Sequence, residues 1–389
     1  MAGGTTKGDD LSSLRKAPFD EVLREFESQM AQSNRAFLLG AGCSRCANLP
    51  LMSELTAKVL ACGSLSTPTR NVLEYLRTKY DGSHGTTIED YMSDIVDILA
   101  VAERRRDCGA RNEKVAFDGQ EYGADDLEKT LGEIKNVMVG FLEPKNVDVA
   151  THREFVRTVC SLRAGKRGAD DRVDYFVLNY DTLLEDALGL ECLSYVDGFT
   201  GGTVGWWDAD TYEKKGMAAR VFKLHGSIDW RLLRGDWLPR RMRDRDLLES
   251  IKDEVRERAM IWPTATKYRE TQRDPYAQLL ELMRQSFSPR GSQEVILTIC
   301  GYRFADMHIN AEIDRALRES QRRLNVLIFT EDNEPVHWVK RWFEDKEVSE
   351  QVRIHAKRGF FHADKVHRSS EDLPWWKFEN IVRLLGGER

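Results

Sequence analysis

The chain has 389 residues, 41% of them hydrophobic and 31% charged, with a formal net charge of −6. That length suits one large α/β domain with an insertion, or two domains; no run approaches the roughly 20 apolar residues of a membrane span, and the negative charge argues against a general nucleic-acid binder. Seven cysteines, odd in number and irregularly spaced, read as free thiols of a reducing cytoplasm rather than a disulfide framework.

Residues 1–17 open with a glycine-, threonine- and charge-rich segment, which reads as a disordered tail and not as a secretory signal. Phe19, Val22, Leu23, Phe26 and Met30 fall on one helical stripe, predicting a helix over 19–30 that lies on a sheet. The apolar run 36–39 predicts a strand buried on both faces of a parallel sheet. It ends in Gly40-Ala41-Gly42-Cys43-Ser44, and a capped amphipathic helix is predicted from Ser53. Strand, glycine turn and helix together can bring backbone N–H groups to a phosphate. The dinucleotide fingerprint wants a third glycine where Arg45 stands, so this is not an ordinary dehydrogenase turn, and a purely structural βα turn is the alternative. Cys43 and Cys46 form a Cys-x-x-Cys with no second pair to complete a zinc site, so no metal is expected.

Residues 61–150 are helical in period and rich in charge, with a polar stretch at 103–124 that includes Arg104, Arg105 and Arg106. They predict a helical insertion with a mobile loop; the arginines read as a solvated helix end, or as a contact to nucleic acid or a partner. A helix over 151–162 and a polar linker over 163–172 lead to a strand over 173–178, which ends in Asn179-Tyr180-Asp181 before a helix from Leu183. A strand over 219–224 ends in His225-Gly226-Ser227-Ile228-Asp229-Trp230. Between these two strands, residues 201–207 read as a loop carrying Trp206 and Trp207; after the second, residues 234–258 read as exposed loop and helix. A strand over 294–300 ends in Gly301-Tyr302, with Asp306 as N-cap of a helix through Leu317, and 324–330 is a further buried strand. The remainder suggests helices, a strand near 352–356, and the pair Trp375-Trp376. The fold class is α/β: a Rossmann-like parallel sheet flanked by helices, built from 18–60 and 151–335, with the insertion at 61–150 and a helical and strand extension over 336–389.

Four strand ends, Gly-Ala-Gly-x-Ser, Asn-Tyr-Asp, His-Gly-Ser and Gly-Tyr, thus occur in one order. Their sequence resembles the sirtuin-like (SIR2-type) family, and most closely its prokaryotic branch, whose motifs read Asn-Tyr-Asp and Lys-Leu-His-Gly-Ser-(Ile/Val)-Asp-Trp. Here these are 179–181 and 223–230. The resemblance covers about 35–330, with 61–150 outside the shared core. It implies that Gly40, Ala41, Gly42 and Ser44 hold the pyrophosphate and adjacent ribose of NAD, and that Pro50 closes the loop on the nicotinamide side. Asn48 replaces a glycine of the family, a mild change because Asn tolerates positive φ; Leu51-Met52-Ser53 replaces the family's Asp-Phe-Arg. Asn179 and Asp181 match the pair that orients the nicotinamide ribose and a water, His225 matches the catalytic base, Gly226 and Ser227 follow it in the motif, and Gly301 and Tyr302 fall at the adenosine half. A histidine suits a base near neutrality because its unperturbed pKa is about 6.5.

Relatives that deacylate lysine carry a four-cysteine zinc module, and between His225 and Gly301 this chain has no cysteine before Cys300. Water is then the expected acceptor, and the resemblance to the prokaryotic branch implies an NAD hydrolase acting in antiviral defence. A non-catalytic NAD or ADP-ribose sensor, a deacylase and a nucleic-acid-binding or nuclease subunit using Arg240, Arg241, Arg243 and Arg245 are the alternatives. The resemblance also implies a HerA-type hexameric ATPase as partner, and self-association through the insertion or the Trp375-Trp376 tail.

Overall fold

Arg35–Leu39 is a run of five buried residues, and such a run is stable only between two other strands with both faces covered. The computed structural model describes residues 9–31, 34–80, 85–117, 119–143, 146–162, 172–264, 271–288 and 293–388. In it, Arg35–Leu39 sits in a nine-stranded sheet, paired in parallel with Val295–Cys300 on one side and Val173–Val177 on the other. Beyond Val173–Val177 come Ala219–Lys223 and Tyr195–Val196; beyond Val295–Cys300 come Leu324–Thr330 and Val352–Ala356, all parallel. Gly359–His362 and Lys365–Arg368 extend that edge antiparallel. The chain therefore reverses direction across the sheet at the Arg35–Leu39/Val295–Cys300 pair, the position at which open α/β sheets bind ligands beyond the strands' carboxyl ends.

The chain divides into two compact units, 1–47 with 148–259 and 274–389, and 48–147 with 260–273. The first contains the large sheet. Its helix Phe19–Met30 buries Phe19, Val22, Leu23, Phe26 and Met30, the stripe expected from the spacing. An aromatic chain of Tyr175, Phe37, Phe155 and Phe378, with successive ring centroids 5.0–5.6 Å apart, joins the sheet to the helices Ala150–Ser161 and Phe378–Leu385. The first unit also holds an antiparallel sheet ordered Val255–Met260, Gly226–Leu233, Arg240–Met242, Val204–Trp207, Phe199–Gly201.

The second unit carries the helices Met52–Leu60, Thr67–Lys79, Ile88–Asp107 and Ala124–Leu142. It begins earlier than 61 and recruits 260–273. Arg104, Arg105 and Arg106 end the helix Ile88–Asp107, where cations suit the helix dipole; Arg105 donates to the Lys114 carbonyl and Arg106 pairs with Asp125. The loop expected over 103–124 is shorter than its polarity suggested, because the helix runs to Asp107 and a hairpin, Val115–Phe117 with Gln120–Tyr122, follows.

Other expectations are corrected. The first eight residues of the tail and 163–171 of the linker lie outside the described residues. Within the tail, Ser12–Arg15 is a 3-10 helix, ordered because Leu11 and Leu14 are buried in the core. The tryptophan loop is a strand, Val204–Trp207, with Trp207 buried against Phe199 and Trp230. The charged stretch 234–258 contributes two strands, and several of its charges are paired. Arg240 binds Asp236 at 2.7 Å, Arg241 binds Asp197, and Arg243 binds Asp229 and Asp186 at 2.8 and 2.9 Å. These three arginines are not a free basic patch. The extension over 336–389 completes the large sheet through Val352–Ala356. Trp375 is fully buried and donates to the Ala356 carbonyl at 2.7 Å, and Trp376 packs against the same core, so the pair is internal.

Candidate active site

The glycine turn is held shut by backbone. Gly40 N–H donates to the Cys300 carbonyl and Gly42 N–H to the Gly301 carbonyl, both at 2.9 Å. Gly301 has φ +62°, and a Cβ on Gly40 would lie 2.5 Å from its oxygen, one on Gly42 2.7 Å from its Cα. The ends of two neighbouring strands thus interlock at a distance no side chain permits. From there Ala41–Ala47 continues as a 3-10 helix rather than an open loop. Ala41 is exposed and Gly42 half-buried. Cys43 is buried, its thiol donating to the Cys300 carbonyl. Burial raises the Cys43 and Cys46 thiols, Cys46 to about 12, so neither is a thiolate near neutral pH.

Ser44, Asn179 and Asp181 form one hydrogen-bonded chain with this turn. Asn179 Nδ2 donates to the Gly40 carbonyl at 3.0 Å and to Ser44 Oγ at 2.6 Å. Ser44 Oγ donates to Asp181 Oδ2 at 2.7 Å, and Asp181 Oδ1 accepts from Leu183 N–H at 3.2 Å, at the start of helix Leu183–Leu190. Both Nδ2 protons of Asn179 are engaged, which leaves Oδ1 to hold a hydroxyl or a water. Both oxygens of the buried Asp181 side chain accept hydrogen bonds inside the protein, one of them from Ser44.

His225 follows the next strand, Ala219–Lys223, and is buried, 4% exposed. Its Nε2 lies 3.4 Å from Nε2 of His308, in the first turn of helix Met307–Glu319. Gly226 turns the chain with φ +78°; Ser227, fully buried, donates to the Tyr180 carbonyl at 3.1 Å. Tyr302 is buried, its hydroxyl bonded to Asn310 Oδ1 at 3.0 Å and to the Asp306 backbone at 3.2 Å. Asp306 occupies the N-cap position without a side-chain capping bond. Beneath these residues Lys223, 1% exposed, donates to the Asp181 carbonyl and pairs with Glu185 at 3.6 Å. Burial raises the Glu185 carboxyl to about 7, against the opposing pull of Lys223.

Gly40, Ser44, Asn179, Asp181, Gly301 and Tyr302 therefore come together at one sheet edge, with His225 on the adjoining strand end. Pro50 belongs to the second unit, just before the helix Met52–Leu60; Asn48 there has φ +67°, as expected of an Asn in a glycine's place. Sequence reasoning missed His308 and Glu185. A helix-capping Asp306 two residues before His308 was the available signal.

Residues 174–351 match the SIR2-like domain family. None of the curated proteins matches the chain. A solved structure described as "The Structural basis of Sirtuin Substrate Affinity" is similar to it at 9% identity, over 78% of this chain and 86% of its own, with a TM-score of 0.35.

Proposed function

We propose that this protein is a SIR2-type NAD hydrolase: it cleaves the nicotinamide–ribose bond with water as acceptor and releases nicotinamide, ADP-ribose and a proton. What carries the reading is that Asn179 and His225 follow adjacent parallel strands, with Asn179 bonded to the Gly40 turn. Loss of nicotinamide builds an oxocarbenium-like ribose, as in glycoside hydrolysis. Asn179 Oδ1 holds a ribose hydroxyl or the attacking water; His225 accepts the water's proton. The match over 174–351 includes both residues. On the resemblance alone, the proposal extends to NAD depletion in antiviral defence, to self-association, and to a HerA-type ATPase as partner.

The test is to incubate the full chain with NAD and quantify nicotinamide and ADP-ribose, beside His225→Ala and Asn179→Ala. Stoichiometric release of both products, reduced at least about 100-fold in each variant, is expected of a lost base or a lost orienting group. Release that survives both substitutions overturns the assignment.

A further inference from the structure

The connection 301–306 leaves the carboxyl end of Val295–Cys300, and two of its residues are left-handed: Gly301 at φ +62° and Phe304 at φ +57°. Glycine adopts that shape freely; for phenylalanine it is strained, and it persists only where the surroundings hold it. Tyr302 and Phe304 turn inward and are buried, while Arg303 and Ala305 are exposed. The connection lines a cavity of about 540 Å³ together with His337, Trp338 and Arg341, a volume within the range of small-molecule sites. It also closes the glycine turn, since the Gly301 carbonyl accepts from Gly42 N–H at 2.9 Å.

Asn310 holds this shape from within. It lies in the first turn of helix Met307–Glu319 and is fully buried. Its Nδ2 donates to the Phe304 carbonyl at 2.7 Å, and its Oδ1 accepts from the Tyr302 hydroxyl at 3.0 Å. The same hydroxyl accepts from Asp306 N–H at 3.2 Å. One amide thus ties the strained Phe304 to the residue that follows Gly301. A buried amide is costly unless it is bonded, and asparagine is a poor residue for a helix interior. The helix alone would be served better by an apolar residue among its buried positions, which include Ile309 and Ile313. What asparagine adds is the hold on the connection.

We infer that Asn310 is a positioning residue for NAD: by fixing the connection 301–306 it keeps the glycine turn and the cavity in the shape that binds. The inference rests on the reading of this sheet edge as the NAD site, in which 301 and 302 fall at the adenosine half. Asn310 acts through the backbone of the connection and not on the reacting atoms, so its loss reaches binding rather than the chemical step. With the hold removed the connection samples other shapes, and the apparent affinity falls by the fraction that keeps the binding one.

The experiment compares Asn310→Leu, Tyr302→Phe and the double variant with wild type in the full chain. KM and kcat are read from nicotinamide release, and Kd from calorimetric titration of NAD into the same proteins carrying His225→Ala, which is expected to bind without cleaving. In Asn310→Leu, KM and Kd should rise about 10-fold through the two lost hydrogen bonds, with kcat within about threefold. Tyr302→Phe should give a smaller rise, and the double variant no more than Asn310→Leu alone, because both act on one connection. A merely structural Asn310 would lower the melting temperature and leave KM and Kd, measured below the melt, at their wild-type values; that result, or a loss confined to kcat, overturns the inference. Where Asn310→Leu fails to fold, Tyr302→Phe decides, and an unchanged Kd in it overturns the inference. A wild type that binds NAD but releases no nicotinamide defeats the hydrolase reading and leaves the Kd comparison to decide Asn310; one that binds no NAD defeats both.

Discussion

Gly40→Ala separates two reasons for a glycine at the end of the first sheet strand. If glycine serves the approach of a phosphate, alanine should harm ligand binding and leave the free protein intact. The structure gives another cause: the new Cβ would stand 2.5 Å from the Gly301 oxygen, 2.8 Å from Tyr302 Cα and 2.9 Å from Gly301 C, all backbone atoms. Ordinary contact begins at 3.4 Å, so the two strand ends must part by nearly 1 Å. Overpacking of this kind costs about 1–3 kcal/mol. Parting also strains the bonds from Gly40 to Cys300 and from Gly42 to Gly301, each worth about 1 kcal/mol. A total of about 2–4 kcal/mol lowers the melting temperature by roughly 5–10 °C in a domain of this size. The assay is a circular-dichroism melt of the ligand-free chain. Gly132→Ala is the control: it lies inside helix Ala124–Leu142 with nothing within 4 Å of its added Cβ, and should gain about 0.5–1 kcal/mol. A Gly40→Ala protein that melts within about 1 °C of wild type yet no longer binds NAD would refute the packing argument.

Ser44→Ala removes the hydroxyl that joins Asn179 to Asp181; a loss of about 1–3 kcal/mol is expected for the unsatisfied buried carboxylate, with a lower kcat, and a variant of unchanged melting temperature and turnover would show the bridge to be idle. Glu185 is raised in the fold from 4.5 to about 7, so its favourable contribution is complete below about pH 4.5 and lost as pH rises through 7, to the extent of about 3 kcal/mol. Urea unfolding at pH 5.5 and pH 8 should show this fall in wild type and a smaller one in Glu185→Gln; equal falls in both would exclude Glu185 as its source. Trp375→Ala should cost about 3–5 kcal/mol, as expected of a buried tryptophan, and leave the oligomeric state in light scattering unchanged; a change in that state with unaltered stability would return the residue to the surface.

The parallel strands and the helix Phe19–Met30 could be read from the sequence because each is a run or stripe whose apolar residues are all buried together. The antiparallel sheet could not. Arg240–Met242 and Val255–Met260 show no apolar alternation, and what holds that layer is long-range: Arg241 with Asp197, Arg243 with Asp229, Trp207 with Trp230. Trp375 was ambiguous for a related reason, since its burial depends on a strand nineteen residues away. In the site, Asn179 and His225 stood out because they are polar groups directly after apolar strands, at a sheet's carboxyl edge. His308 did not, because only the folded helix brings it to His225.

The eight residues from Lys223 to Trp230 show how differently the parts of one motif bear on function. Lys223 anchors the Asp181 carbonyl from below. Leu224 extends the parallel ladder by donating to Val177, and Gly226 supplies the left-handed turn. Ser227 and the Ile228 N–H both bond the Tyr180 carbonyl, at 3.1 and 2.9 Å. Asp229 holds Arg243, and Trp230 packs on Phe199. Seven of the eight thus have a reason to be present that lies in the fold, where they tie the large sheet to the antiparallel one and set the Asn179–Asp181 turn. Any chain with this architecture would need them, whatever it did to a ligand. The eighth, His225, is a buried imidazole directed at another imidazole. The length of the motif therefore argues for the architecture, and the argument for chemistry narrows to His225, its partner His308, and Asn179.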